Sequence, residues 1–118
     1  MFKLKNDVFR RQRGGNAKFL DICCANCNSY LFLYQKDGSG HLYRTYLNRI
    51  FHPLKLEGLQ YTGYSSTKDI SNLVCDSCCS VIGTPMKHVD GRFAYRLIEG
   101  AFYKKRVDPN KEPGKYRQ

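Results

Sequence analysis

The chain is short of acid: ten Asp and Glu stand against twenty Lys and Arg, for a net charge of +10 over 118 residues. It also lacks any apolar run approaching the roughly 18 residues of a transmembrane helix, so no membrane association is expected. The opening stretch, MFKLKNDVFRRQRGG, holds no continuous apolar segment and does not read as a secretory signal. A cytoplasmic protein is therefore expected, in a compartment where thiols stay reduced. No long amphipathic helical pattern occurs, which leaves a mainly β chain. Catalytic constellations are missing as well. There is no Ser/His/Asp set, no pair of carboxylates in a plausible pocket and no P-loop. GGN and DGSG are glycine turns without a phosphate-cradle context.

What is present is aromatic and basic. A hydrophobic fraction of 42%, with nine Tyr and seven Phe, predicts one folded domain with a modest core. The charge is uneven: residues 1–19 carry six Lys/Arg against one acid, residues 101–118 six against two, and residues 20–100 eight against seven. The reading is a basic N-terminal arm (1–19), a β domain (20–107) and a mobile basic tail (108–118). Two basic ends around a nearly neutral middle point to a polyanionic partner, although terminal Lys and Arg are often simply solvated.

Along the chain, FKLK alternates like a short strand and RRQRGGN reads as a flexible basic loop. KFLDI is a short apolar strand. SYLFLYQ (29–35), the turn signal KDGSG and HLYRTYLNRI (41–50) predict a β-hairpin. Pro53, Gly58 and Gly63 break the next stretch into short pieces, and Ser66 with Asp69 is placed to cap one helical turn. MKHV, RFAYRLI and AFYKKRV, joined by Asp90-Gly91 and Glu99-Gly100, predict a three-stranded meander, with a type I′ turn at Asp-Gly.

All six cysteines fall in two pentapeptides, CCANC (23–27) and CDSCC (75–79). Cys24/Cys27 and Cys75/Cys78 form two C-x-x-C knuckles with 47 residues between them. Two such knuckles complete a tetrahedral Zn²⁺ site at about 2.3 Å per sulfur. Such a site closes its shell and leaves no position for a catalytic water. An iron–sulfur cluster and a disulfide framework are the competing readings. The registers Cys23/Cys27 and Cys75/Cys79 also remain open. Asn28 favours Cys24/Cys27, because a knuckle often ends in a residue that tolerates the left-handed region. Cys79 holds the equivalent place and is poorly suited to it. Cys23 and Cys79 read as buried packing residues, with thiol redox chemistry as the alternative. His41, His52 and His88 read as surface or packing residues.

The knuckles and the phrase CDSCCSVIG resemble the β-tent group of zinc folds, which includes Yippee proteins, the ligand-binding domain of cereblon and methionine-R-sulfoxide reductases. The resemblance covers residues 22–83 and implies small antiparallel sheets clamped by zinc on four cysteines, a fold also akin to a zinc ribbon. Cys79 stands where that group prefers Gly. Tryptophan is absent, so a cereblon-type tryptophan cage cannot form, and no Arg-Cys motif of the reductases follows the second knuckle.

The functional expectation is a zinc-stabilised β domain that binds nucleic acid, RNA before DNA. The candidate residues are Arg10, Arg11, Arg13, Arg44, Arg96, Tyr103, Lys104, Lys105 and Arg106, which interleave cations with aromatics. An adaptor recognising an acidic protein is the alternative. A thiol redox enzyme using Cys23 or Cys79 is the second alternative, and the only enzymatic idea with residues behind it.

Overall fold

The computed structural model of the protein describes residues 2–107; the expected basic tail, 108–118, lies outside them. The fold is mainly β. Eight strands occur in chain order: β1 (Ala17–Cys24), β2 (Tyr30–Asp37), β3 (Arg44–Tyr46), β4 (Ile50–His52), β5 (Leu73–Val74), β6 (Val81–Lys87), β7 (Phe93–Leu97) and β8 (Phe102–Arg106). They form two four-stranded sheets, ordered β4-β2-β1-β8 and β3-β7-β6-β5. Every pairing is antiparallel. Helices are short: α1 (Val8–Gln12), α2 (Leu54–Glu57) and single 3-10 turns, one of them capped by the Ser66 hydroxyl as its sequence predicts.

Alternation along the strands makes the core. Leu20, Ile22, Phe32 and Tyr34 of the first sheet pack with Leu73, Ile82, Tyr95 and Leu97 of the second. The opposite face of the first sheet is buried too, which is why six consecutive residues of β2 are buried. Residues at the N-terminus cover it. Phe2 meets Phe51 edge-on, and Phe51 in turn meets Phe19 with centroids 4.9 Å apart. The Gln35 amide clamps the backbone of Lys5 from both sides: Lys5 N–H donates to Oε1 at 2.7 Å, and Nε2 donates to the Lys5 carbonyl at 3.0 Å. FKLK is thus an unpaired segment held by a side chain, not a strand. In RRQRGGN, Arg10 and Arg11 belong to α1, whose N-cap is Asp7.

Three further expectations are corrected. The chain after KDGSG does not return along β2: β3 crosses to the second sheet and pairs with β7, and only β4 comes back to β2. Likewise β6 and β7 form a hairpin, but β8 leaves it and pairs with β1. Turn chemistry at 90–91 differs as well. Gly91 alone has positive φ (+93°), with its N–H donating to His88 O at 2.9 Å, so the loop is a type I turn followed by a left-handed glycine.

An ion cluster ties the N-terminal segment to the end of β2 and to the turn between β3 and β4. Arg49 is fully buried; its guanidinium grips both oxygens of Asp7 (2.5 and 2.9 Å) and donates to Asp37 at 2.8 Å. The Arg49 contact holds the Asp7 carboxyl down at about 2.

Candidate functional site

The two knuckles are the turns of two hairpins, one in each sheet. The first joins β1 to β2 and the second joins β5 to β6. They are built alike. Asn28 N–H donates to Cys24 O, and Cys79 N–H to Cys75 O, both at 2.8 Å. Cys24 N–H donates to Ser29 O, and Cys75 N–H to Ser80 O, both at 2.9 Å. The closing residues Asn28 and Cys79 share a φ of 65°. The unfavourable left-handed position that the sequence predicts at Cys79 is therefore adopted, because the knuckle's own hydrogen bonds impose it.

The repeat brings Cys24, Cys27, Cys75 and Cys78 together, with all four sulfurs within 4.8 Å of one another. Cys24 and Cys78 approach to 3.6 Å, and Cys27 and Cys75 to the same distance. A metal with sulfurs at about 2.3 Å in a tetrahedron sets them about 3.8 Å apart, so the spacing fits. Strand parity excludes Cys23 from the set. Cys24 joins the inter-sheet core, while its neighbour Cys23 points to the opposite face and is fully buried there. Cys79 is exposed. No His, Asp or Glu joins the four sulfurs among the described residues. His52 instead lies 2.8 Å from the Tyr30 hydroxyl, and His88 stands edge-on to Tyr46.

Serine hydroxyls support the outer pair of thiols. Cys27 Sγ lies 3.1 Å from Ser29 Oγ, and Cys78 Sγ lies 3.1 Å from Ser80 Oγ. The Ser80 hydroxyl, helped by Asn26, draws the Cys78 thiol down to about 5, and Ser29 lowers Cys27. Burial pushes Cys75 up to about 11. Such a buried thiol becomes a thiolate when a cation replaces its proton. The site can hold a metal ion. Four sulfur donors would fill a tetrahedral shell, which suits a structural metal.

The basic candidates are spread over several elements, and two of them, Arg13 and Arg44, line one cleft. Arg10 and Arg11 sit on α1, where Arg10 Nε donates to Gly15 O at 2.6 Å. Arg44 and Arg96 are register partners across β3 and β7. Lys104, Lys105 and Arg106 are exposed on β8, an edge strand, and Tyr103 beside them is half-buried. Arg13 reaches the loop after β2, donating to Ser39 O at 3.3 Å. Sequence reasoning passed over Lys36. Its signal was parity: it shares the inward face of β2 with Phe32 and Tyr34, and it is only 5% exposed. Arg92 was also missed. It lies between two rings, 3.9 Å from the Phe9 centroid and 3.6 Å from that of Tyr46.

No protein-family model, curated protein or solved structure matches the chain. The β-tent resemblance accordingly rests on the two knuckles alone.

Proposed function

We propose that this protein is a nucleic-acid-binding module, with RNA favoured over DNA, whose two sheets are clamped by Zn²⁺ on Cys24, Cys27, Cys75 and Cys78. The observation that carries the reading is uncompensated positive charge beside exposed aromatic surface. Among the described residues, Arg13, Lys36, Arg44, Arg96 and Lys104 to Arg106 take part in none of the four ion pairs. Arg44 and Arg96 stand directly opposite each other, an arrangement that is unfavourable without a counter-charge. Tyr43, 68% exposed, lies next to them in sequence and in space. An exposed ring beside a pair of cations offers base stacking and phosphate neutralisation. A Lys-rich edge strand also discourages strand addition, so β8 alone argues for little.

Fluorescence anisotropy with a single-stranded 20-mer RNA tests the reading. Binding is expected to weaken with salt, with a log–log slope of about −0.7 per phosphate neutralised. The double variant Arg44→Gln/Arg96→Gln should bind more weakly and show a shallower slope. Absence of RNA and DNA binding at low ionic strength would sink the proposal, and selective binding of an acidic peptide would replace it with the adaptor reading. Native mass spectrometry checks the metal: one zinc per chain is expected.

A further inference from the structure

A cleft of about 330 Å³ opens beside the loop that follows β2, and its walls are unusually basic. Arg13, Lys36, Arg44 and Arg92 line it, and the single acid among the lining residues, Asp37, is already bonded to Arg49. Arg92 is paired with Asp90, which leaves Arg13, Lys36 and Arg44 with no acidic partner among the described residues.

Lys36 is the informative member. Its side chain is nearly buried, yet its ammonium makes one hydrogen bond, to Gly38 O at 3.0 Å, out of the three it can donate. Burial, and then the positive charges of Lys18, Arg13 and Lys104, disfavour its charged form. Asp37 offsets part of this, and an anion entering the cleft would relieve the rest. Arg13 donates to the same loop, at Ser39 O, so two cationic heads converge there. Tyr43 stands at the rim, exposed and 5.7 Å from the His41 ring.

We infer that this cleft binds the terminal phosphate of a nucleotide, with Lys36, Arg13 and Arg44 on the phosphate and Tyr43 against the base. A terminal phosphomonoester carries about −1.5 to −2 charges at neutral pH, which suits three unpaired cations better than the single charge of an internal phosphodiester. A chain end enters the cleft lined by Lys36 more readily than an internal phosphate, which is flanked by sugars on both sides. The volume suits one nucleotide rather than a strand, since ligand pockets begin at about 300 Å³. The inference deepens the nucleic-acid reading and rests on it for the choice of nucleotide over other phosphate esters. The same chemistry is offered by a free mononucleotide and by the phosphorylated end of an oligonucleotide.

Calorimetric titration of the full chain with AMP, adenosine, a 5′-phosphorylated tetraribonucleotide and its 5′-hydroxyl counterpart tests it. Each phosphorylated ligand is expected to bind at least tenfold more tightly than its unphosphorylated partner. Tighter binding by the oligonucleotide than by AMP assigns the cleft to chain ends, and the reverse assigns it to free nucleotide. Lys36→Gln should abolish the tenfold preference. Arg13→Gln, at an exposed position that does not threaten folding, should reduce it severalfold. Equal affinity with and without the phosphate, an unchanged preference in both variants, or tighter binding of a phosphoserine peptide than of AMP would each overturn the assignment. A 5′-hydroxyl 20-mer separates the two readings: if it binds while AMP does not, the cleft assignment fails alone, and if AMP binds while it does not, the strand-binding reading fails alone.

Discussion

Asp7 has two tasks, and one substitution separates them. It caps α1 by accepting from Arg10 N–H at 3.2 Å, and it neutralises Arg49. Asn caps a helix about as well as Asp, so Asp7→Asn removes the charge and keeps the cap. Asp37 still pairs Arg49, and Asp7 is 35% exposed, so the loss should fall below that of a severed buried pair, at about 2 kcal/mol by urea denaturation. The pH dependence has a definite sign. The folded Asp7 carboxyl lies at about 2, below its ordinary 3.8, so its contribution is complete above about pH 4 and disappears as pH falls through 2. After allowance for solvent screening, about 1–2 kcal/mol should be lost across that window in the parent and not in Asp7→Asn.

Cys79 poses the converse case, a residue in a place that does not suit it. It is exposed and holds φ 65°, where a β-carbon is unfavourable. The matching position of the first knuckle carries Asn28. Cys79→Asn should therefore stabilise the fold by a few tenths to about 1 kcal/mol in thermal denaturation. A loss of stability would show that the thiol makes a contribution beyond its backbone geometry.

At the level of the element, Gly83 shows why one glycine in the apolar strand after the second knuckle resists replacement. An added Cβ would sit 2.9 Å from the Arg96 carbonyl oxygen and 3.3 Å from Tyr95 Cβ. The first neighbour is backbone of β7 and cannot swing aside. Gly83→Ala should cost about 1–3 kcal/mol and should loosen the β6–β7 pairing, read as faster amide exchange at Ile98, whose N–H donates to Ile82 O in β6. Retention of parental exchange rates there would show that the sheet relaxes freely.

The strands were legible in the sequence because alternation and turn residues are local signals. KFLDI, SYLFLYQ, RFAYRLI and AFYKKRV all lie in or overlap strands. Partner choice was not legible. KDGSG carries every mark of a hairpin loop, yet β3 pairs with β7, and the mixed faces of HLYRTYLNRI are what a segment shows when it serves both sheets in succession. Glu99-Gly100 does turn the chain, but it delivers β8 to the distant β1 rather than back to β7. The knuckles were legible because four thiols at C-x-x-C spacing state their own geometry. The basic cleft was not, because Lys36, Arg13 and Arg44 meet only after β3 has crossed between sheets.

For the molecule as a whole, the cysteine site is the junction of its two halves. One knuckle ends the β1–β2 hairpin and the other the β5–β6 hairpin, so a metal bound to both fastens sheet to sheet. The hydrophobic core lies between the same sheets, yet a chain of 118 residues buries only a modest amount. Zinc on four thiolates contributes on the order of 10 kcal/mol to small folds, comparable with the whole stability of a domain. Removal of the metal with a strong chelator should therefore lower the melting temperature by about 20 °C or more, since each 1 kcal/mol shifts a domain this size by about 4 °C. Zn²⁺ should restore it and Mg²⁺, which prefers oxygen ligands, should not. Cys75→Ser should reproduce the metal-free state, whereas Cys23→Ala, on the far face of β1, should leave metal content at one per chain. A chelated protein that melts within a few degrees of the metal-bound form would mean that the core alone holds the sheets together. The paired knuckles would then have to be explained by something other than stability.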